Sequence, residues 1–250
     1  MPTDSSIRTL GDLAAGVRDQ RVHDVSPTLG PQVGMHFMQP PPSVTVVGEH
    51  GVHGVAANTW EMAEHSGSHV DAPFHFDPHG ATIENVPIDA LFFRPFKKFD
   101  LTPFDPQPGE PVTHGQLAEA AERDGFTLED GDIALLDFGW DRYLPGGTRA
   151  QDPAWWGANE PGLTDDACGY LATAGARAVA CDTAACDFSL RDGEVSGGSG
   201  HLQHFLPNGI LIVEGLRRLG EVPSTGLFVA LPLKLEGGTA SPLRVVLLTE

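Results

Sequence analysis

Apolar positions along this chain recur in short, separated groups rather than in one dominant rhythm. Leu10, Leu13, Ala14 and Val17 fall at helical spacing and predict a short helix from Thr9 onward, after a loose terminus over residues 1–6. Val22–Ser26 reads as a short strand. Ser43–Val47 and Val55–Met62 read as two strands joined by a turn containing Gly and His, the pattern of an antiparallel hairpin. Phe96–Leu101 gives another strand, and Thr113 can cap a helix running through Leu117, Ala118, Ala120 and Ala121 to Gly125. Gly131–Phe138 is a continuous apolar run of strand length, as expected of a strand covered on both faces. Thr164-Asp165-Asp166 opens a second helix reaching Ala174, Ala176–Cys181 is an apolar strand, and Phe228–Leu235 and Leu243–Thr249 close the chain as strands. Helices and strands mix without strict alternation and no internal repeat is visible. This predicts one α/β domain over residues 1–250, a mixed β-sheet with flanking helices.

Between these elements lie segments too rich in Gly and Pro for regular structure. Residues 27–42 are long for a loop and fit either a lid, with Met35, His36, Phe37 and Met38 as its apolar members, or a plain surface excursion. The loop from Pro145 to Pro161 carries Trp155 and Trp156, which suit a pocket wall and loop packing equally. Gly197-Gly198-Ser199-Gly200 is too short for a phosphate loop and reads as flexible.

Composition narrows the function classes. The 250 residues include 40% hydrophobic ones, 30 Gly and 21 Pro, which suits a globular fold with many built loops. A formal charge of -19 argues against nucleic acid and anionic membrane as partners, because phosphate repels an acidic surface. Cys168, Cys181 and Cys186 make an odd number without metal-ligand spacing, so reduced thiols and a cytoplasmic setting are expected. No signal-peptide pattern opens the chain, and no apolar run approaches membrane-spanning length.

The chemistry concentrates in His65-Ser66-Gly67-Ser68-His69-Val70-Asp71-Ala72-Pro73-Phe74-His75-Phe76. Two histidines and an aspartate are a ligand set that zinc, manganese or iron accepts. Gly67 and Pro73 argue against a helix through the segment. If His69-Val70-Asp71 is extended, the two polar side chains share a face, and a turn at Gly67 brings His65 to them. Three protein ligands leave coordination positions open, as at a catalytic metal, with His75 beyond them as acid or base.

This stretch resembles the signature His-x-Gly-Thr-His-x-Asp-x-Pro-x-His-Phe of the metal-dependent cyclase/hydrolase family that includes bacterial kynurenine formamidase and isatin hydrolase. Ser68 replaces threonine and keeps the hydroxyl. The resemblance continues through Asp24, Ser26 and Leu29, through Gly131–Trp140 with Phe138 where threonine is usual, and through Asn208-Gly209-Ile210 and Glu214-Gly215-Leu216. It departs at Ala185, near which the family often has serine. It implies a swivelling β/β/α fold, assembly into homodimers or homotetramers, and a further His and Glu at the metal. Those match His201 and Glu214, with His204 as the other candidate histidine. Asp71 could bridge two ions, so one or two Zn2+ or Mn2+ per subunit are expected. The activity implied is cleavage of a C–N bond in a small, aromatic amide, either an aryl formamide or a cyclic lactam, with His75 as base. Cyclisation or dehydration in natural-product biosynthesis is the alternative, and metal or metabolite binding without turnover a third reading.

Overall fold

The apolar run at 131–138 has the burial it demands. In the computed structural model, which describes residues 9–250, it forms the middle of a nine-stranded sheet. The expected loose terminus at residues 1–6 lies outside the described residues. The chain opens with α1 (Leu10–Arg18) and β1 (Arg21–Asp24). A hairpin of β2 (Ser43–Gly48) and β3 (Ala57–Glu61), joined through the short α2 (His50–His53), leads to β4 (His69–Asp71). Then come β5 (Phe92–Asp100), β6 (Pro111–Val112), α3 (His114–Asp124) and β7 (Ile133–Asp137). The second half brings α4 (Pro153–Gly157), β8 (Gly162–Leu163), α5 (Asp165–Thr173), β9 (Ala178–Cys181), and a hairpin of β10 (Phe188–Arg191) and β11 (Glu194–Gly197). It ends with β12 (Leu211–Glu214), β13 (Thr225–Val229), β14 (Ala240–Pro242) and β15 (Val246–Thr249).

The sheet order is β1-β15-β13-β5-β7-β9-β12-β4-β14. The four central strands β5, β7, β9 and β12 run parallel, and the strands on either side are antiparallel. This is the mixed α/β sheet that the sequence predicts. Alternation sorts the central strands: Ala134, Leu136, Val179 and Ile212 join the core under α3 and α5, and Ile133, Leu135, Ala178 and Val213 join the core on the other face. Each large side chain buried there contributes about 1.5–3 kcal/mol. The α3 start is a capping box, with Thr113 Oγ1 accepting the Gln116 N–H while the Gln116 side chain accepts the Thr113 N–H.

Several expectations need correction. The loop at 145–161 contains α4, started by Asp152, whose carboxylate accepts the Ala154 N–H, with Pro153 in the first turn. The last long strand begins at Thr225 and stops at Val229, because Pro232 has no N–H for a ladder; Leu231 and Leu233 are exposed. Leu243–Thr249 is a strand only from Val246. The hairpin β10–β11 escaped the reading, although Asp192-Gly193 (φ +52° and +80°) is a strong tight-turn signal. The glycines at 197–200 serve fit, not flexibility: Gly198, at φ +97°, lies so close to Phe188 that a Cβ would sit 2.3 Å from the ring.

Candidate metal centre

The same alternation that builds the cores builds the site. In β4, Val70 faces the core with Val213 of β12, so His69 and Asp71 face the opposite side, where Ile212 and Glu214 also lie. The register pairs Glu214 with His69 and Ile212 with Asp71. Gly67, at φ +62°, makes the predicted turn and carries His65 back to Asp71. The Ser68 hydroxyl donates to the Gly215 carbonyl at 2.9 Å, tying the motif to the end of β12. A π-helical turn over Gly200–His204 then delivers His201 from the other side. Such turns recur at functional sites.

Asp71 is the hub. Its Oδ1 lies 2.8 Å from His65 Nδ1 and 3.5 Å from His69 Nε2, and its Oδ2 lies 3.4 Å from His201 Nε2. Glu214 closes the cluster, 3.3 Å from His69 Nε2 and 3.6 Å from His201 Nε2. Each imidazole is held from behind. His69 Nδ1 faces the Gly67 carbonyl at 3.0 Å, and His201 Nδ1 faces the Asp187 carboxylate. His65 Nε2 meets Thr239 Oγ1 at 3.1 Å, and that hydroxyl is already donating to Glu64. All three outer nitrogens therefore carry the proton, and the inward nitrogens present lone pairs.

That assignment leaves lone pairs facing carboxylate oxygens with nothing between them. His69 Nε2 and both Asp71 oxygens are buried without a hydrogen-bond partner. The electrostatics point the same way. Burial disfavours the charged His69, but the Glu214 and Asp71 carboxylates beside it outweigh it and raise its pKa to about 9. Burial also opposes charge on His201, and Asp187 overcomes it, lifting the group well above its usual value. Burial would raise Asp71, yet His65 and His201 hold it well below the usual carboxylate range. A pocket that draws protons this strongly suits a divalent cation, which would displace them on binding. His69, Asp71 and Glu214 form one cluster of metal-ligating atoms and His65, Asp71 and His75 a second, sharing Asp71.

His75 follows Pro73 in a single 3-10 turn, its ring 4.1 Å from that of His65. Burial and the neighbouring imidazoles lower it to about 4 against the pull of Asp71, so it stays neutral at ordinary pH. His204 points elsewhere and pairs with Asp165 at 2.9 Å. Of the two candidate histidines, the cluster holds His201. The tryptophans pack loops: Trp156 is buried and donates to the Trp140 carbonyl, and Trp155 lies 5.1 Å from the Tyr143 ring. Cys168, Cys181 and Cys186 are free and buried, and burial pushes their thiols up.

Above the cluster opens a cavity of about 260 Å3, just below the roughly 300–1,000 Å3 usual for ligand sites. Phe76 and Phe188, their ring centroids 6.3 Å apart, line it together with Ala184 and Ala185. Sequence reading missed Phe188 and Asp187. The Asp192-Gly193 turn marks the hairpin that carries Phe188, whereas Asp187 has no local signal.

A mixed α/β sheet with a buried His/Asp/Glu cluster beneath an open cavity defines a metal-dependent hydrolase. Residues 13–188 match the cyclase family, and the chain belongs to it. It is 32% identical over 189 residues to the kynurenine formamidase of Paracidovorax citrulli, covering 75% of this chain and 77% of that one. Identity to the isatin hydrolase of Roseibium aggregatum is 25% over 281 positions, covering 99% and 98%. A solved structure described as a predicted metal-dependent hydrolase from Bacillus stearothermophilus superposes with a TM-score of 0.68 at 27% identity, covering 92% of this chain and 99% of that one.

Proposed function

We propose that residues 1–250 form one amidohydrolase unit that cleaves the C–N bond of a small aryl amide, an aryl formamide such as N-formylkynurenine or a cyclic lactam such as isatin. The observation that carries this reading is the set of inward lone pairs of His65, His69 and His201 around Asp71 and Glu214, under an aromatic-walled cavity. Those five residues would hold zinc or manganese. The two Asp71 oxygens face different histidines, which suits a carboxylate bridging two ions. A divalent ion supplies Lewis acidity, lowering the pKa of water and polarising a carbonyl.

The rest falls to the chain's own groups. Phe76 and Phe188 together offer an aromatic wall for the aryl ring to pack against, which orients the acyl carbon toward the cluster. Neutral His75 accepts the proton of the attacking water and returns it to the leaving nitrogen. No cysteine takes part, since all three are buried with raised pKa values. Unpaired thiols suit a reducing, cytoplasmic setting. Among the described residues no helix is long and apolar enough to cross a membrane. A homodimer or homotetramer would give the exposed valines of the β2–β3 hairpin a partner, since a lone hairpin is marginal in water.

The test is turnover. Protein loaded with zinc or manganese should hydrolyse N-formylkynurenine or isatin, followed by absorbance, and chelator should abolish the rate. Metal-replete, folded protein inert toward both substrates would remove the proposal.

A further inference from the structure

Residues 27–42 form a seated lid rather than a loose excursion. Phe37 N–H donates to the Gly157 carbonyl at 3.0 Å, and Gly157 comes so close that a Cβ there would sit 1.6 Å from the Met35 carbonyl oxygen. Two residues earlier in the lid, Gly34 presses on Leu144 and on the buried Trp156, where a Cβ would meet them at 2.5 and 2.7 Å. His36 is thus clamped from both sides of its own backbone, and its ring lines the cavity over the metal cluster.

The ring's hydrogen bonding fixes its tautomer. Nδ1 accepts the Met38 N–H at 3.4 Å, so the neutral imidazole carries its proton on Nε2. Burial, the largest cause, lowers His36 to about 4, in keeping with the unprotonated Nδ1. Ala184 and Ala185, which also line the cavity, offer it no hydroxyl. Apart from the five cluster residues and His75, the polar side chains lining this cavity are His36 and Gln39.

We infer that His36 is a substrate-contacting residue, its Nε2–H donating to the acyl oxygen of the bound amide. The inference rests on the amidohydrolase reading. A neutral N–H aimed at an oxygen that gains charge in the transition state stabilises that state more than the ground state. It does so without adding a cation beside a metal centre. The lid's seat on Gly157 keeps the donor in place, so little reorganisation accompanies the reaction.

The experiment compares His36→Phe and His36→Gln in metal-loaded protein. The glutamine amide can offer an N–H near the position of Nε2, and phenylalanine cannot. His36→Phe should lower kcat on N-formylkynurenine or isatin by about 10²- to 10³-fold, with KM rising by no more than about fivefold. Metal content and melting midpoint should match wild type, and His36→Gln should recover at least tenfold of the loss. A second measurement needs no turnover: calorimetric binding of 2-oxindole, a lactam carrying the same acyl oxygen. It should weaken about fivefold in His36→Phe and stay near wild type in His36→Gln. Wild-type kcat in His36→Phe, or equal loss in both variants, overturns the donor role. If wild type itself turns over neither substrate, the amidohydrolase reading falls, and the oxindole comparison alone decides whether His36 donates to a bound carbonyl.

Discussion

Asp187 offers the most direct test of how the site is held. It is fully buried, and its carboxylate takes two hydrogen bonds from one residue, the His201 ring Nδ1–H and the His201 backbone N–H at 3.0 Å. Burial alone would raise its pKa, but the His201 charge and these bonds lower it, so it stands as a carboxylate. Asp187→Asn keeps the volume and removes the charge. One donor keeps an oxygen; the other meets an NH2. If the NH2 faces Nδ1, the imidazole proton moves to Nε2 and the inward lone pair is gone. Loss of such a second partner lowers metal affinity by about 10- to 100-fold, which is roughly 1.4–2.7 kcal/mol. If the NH2 instead faces the His201 backbone N–H, that donor is left unpaired, and the metal-free fold should lose about 1–3 kcal/mol. Chelator competition gives the metal Kd, and urea unfolding of metal-free protein gives the stability. An Asp187→Asn protein that binds zinc within twofold of wild type, while His201→Ala loses tenfold or more, would refute the idea that Asp187 sets the ligand.

Four further outcomes are expected. His75→Ala should keep its metal by elemental analysis while turnover falls about 10²- to 10⁴-fold; the acid limb of the wild-type rate should lie near pH 4, where His75 protonates, and loss of metal would make it a ligand. Between the unfolded value of 6.5 and about 4, the unfolded chain binds a proton at His36 that the folded chain refuses, so stability drops as pH falls through that window; His36→Gln should reduce the slope of the urea midpoint against pH there, leaving the part due to His75. Gly157→Ala should displace the lid and lower kcat without loss of metal, because its Cβ overlaps the Met35 carbonyl; an unchanged rate would separate the lid's seat from catalysis. Thr113→Ala should cost about 1 kcal/mol in denaturant unfolding, through its α3 cap, and leave the rate alone.

What the sequence revealed of the site follows the range over which each signal acts. His65, His69, Asp71 and His75 lie within eleven positions, and an extended His69-Val70-Asp71 already puts both ligands on one face. The choice between His201 and His204 needed the π-helical turn, because three residues apart on a regular helix they would share a face. Asp187 acts on His201 from fourteen positions away in the chain, and only the β10–β11 hairpin brings the two together. Trp155 and Trp156 looked equally fit for a pocket, because an aromatic in a loop reads alike whichever side it packs on. The central strands were legible because burial on both faces leaves a continuous apolar run. The end of β13 was not, since Leu231, Leu233 and Leu235 continue the apolar pattern on both sides of Pro232, which has no N–H for a ladder.

The mixed character of the sheet is itself part of the site. Glu214 is the last residue of a parallel strand, so it projects at the carboxyl end of the central sheet, where open α/β folds place their ligands. The neighbour that completes it, β4, runs antiparallel, and this sets His69 directly beside Glu214 and places Asp71 two residues deeper, beside Ile212. A slip of one residue would turn Val70 toward the cavity and bury His69 and Asp71 among Val25, Leu216 and Val245. Core and site are therefore read from one alternation. The apolar residues that fix the β4 register also fix the ligand geometry. A substitution such as Val70→Thr, far from any reacting atom, should weaken metal binding and stability together by loosening that register, whereas loss of a ligand's hydrogen-bond partner should act chiefly on the metal.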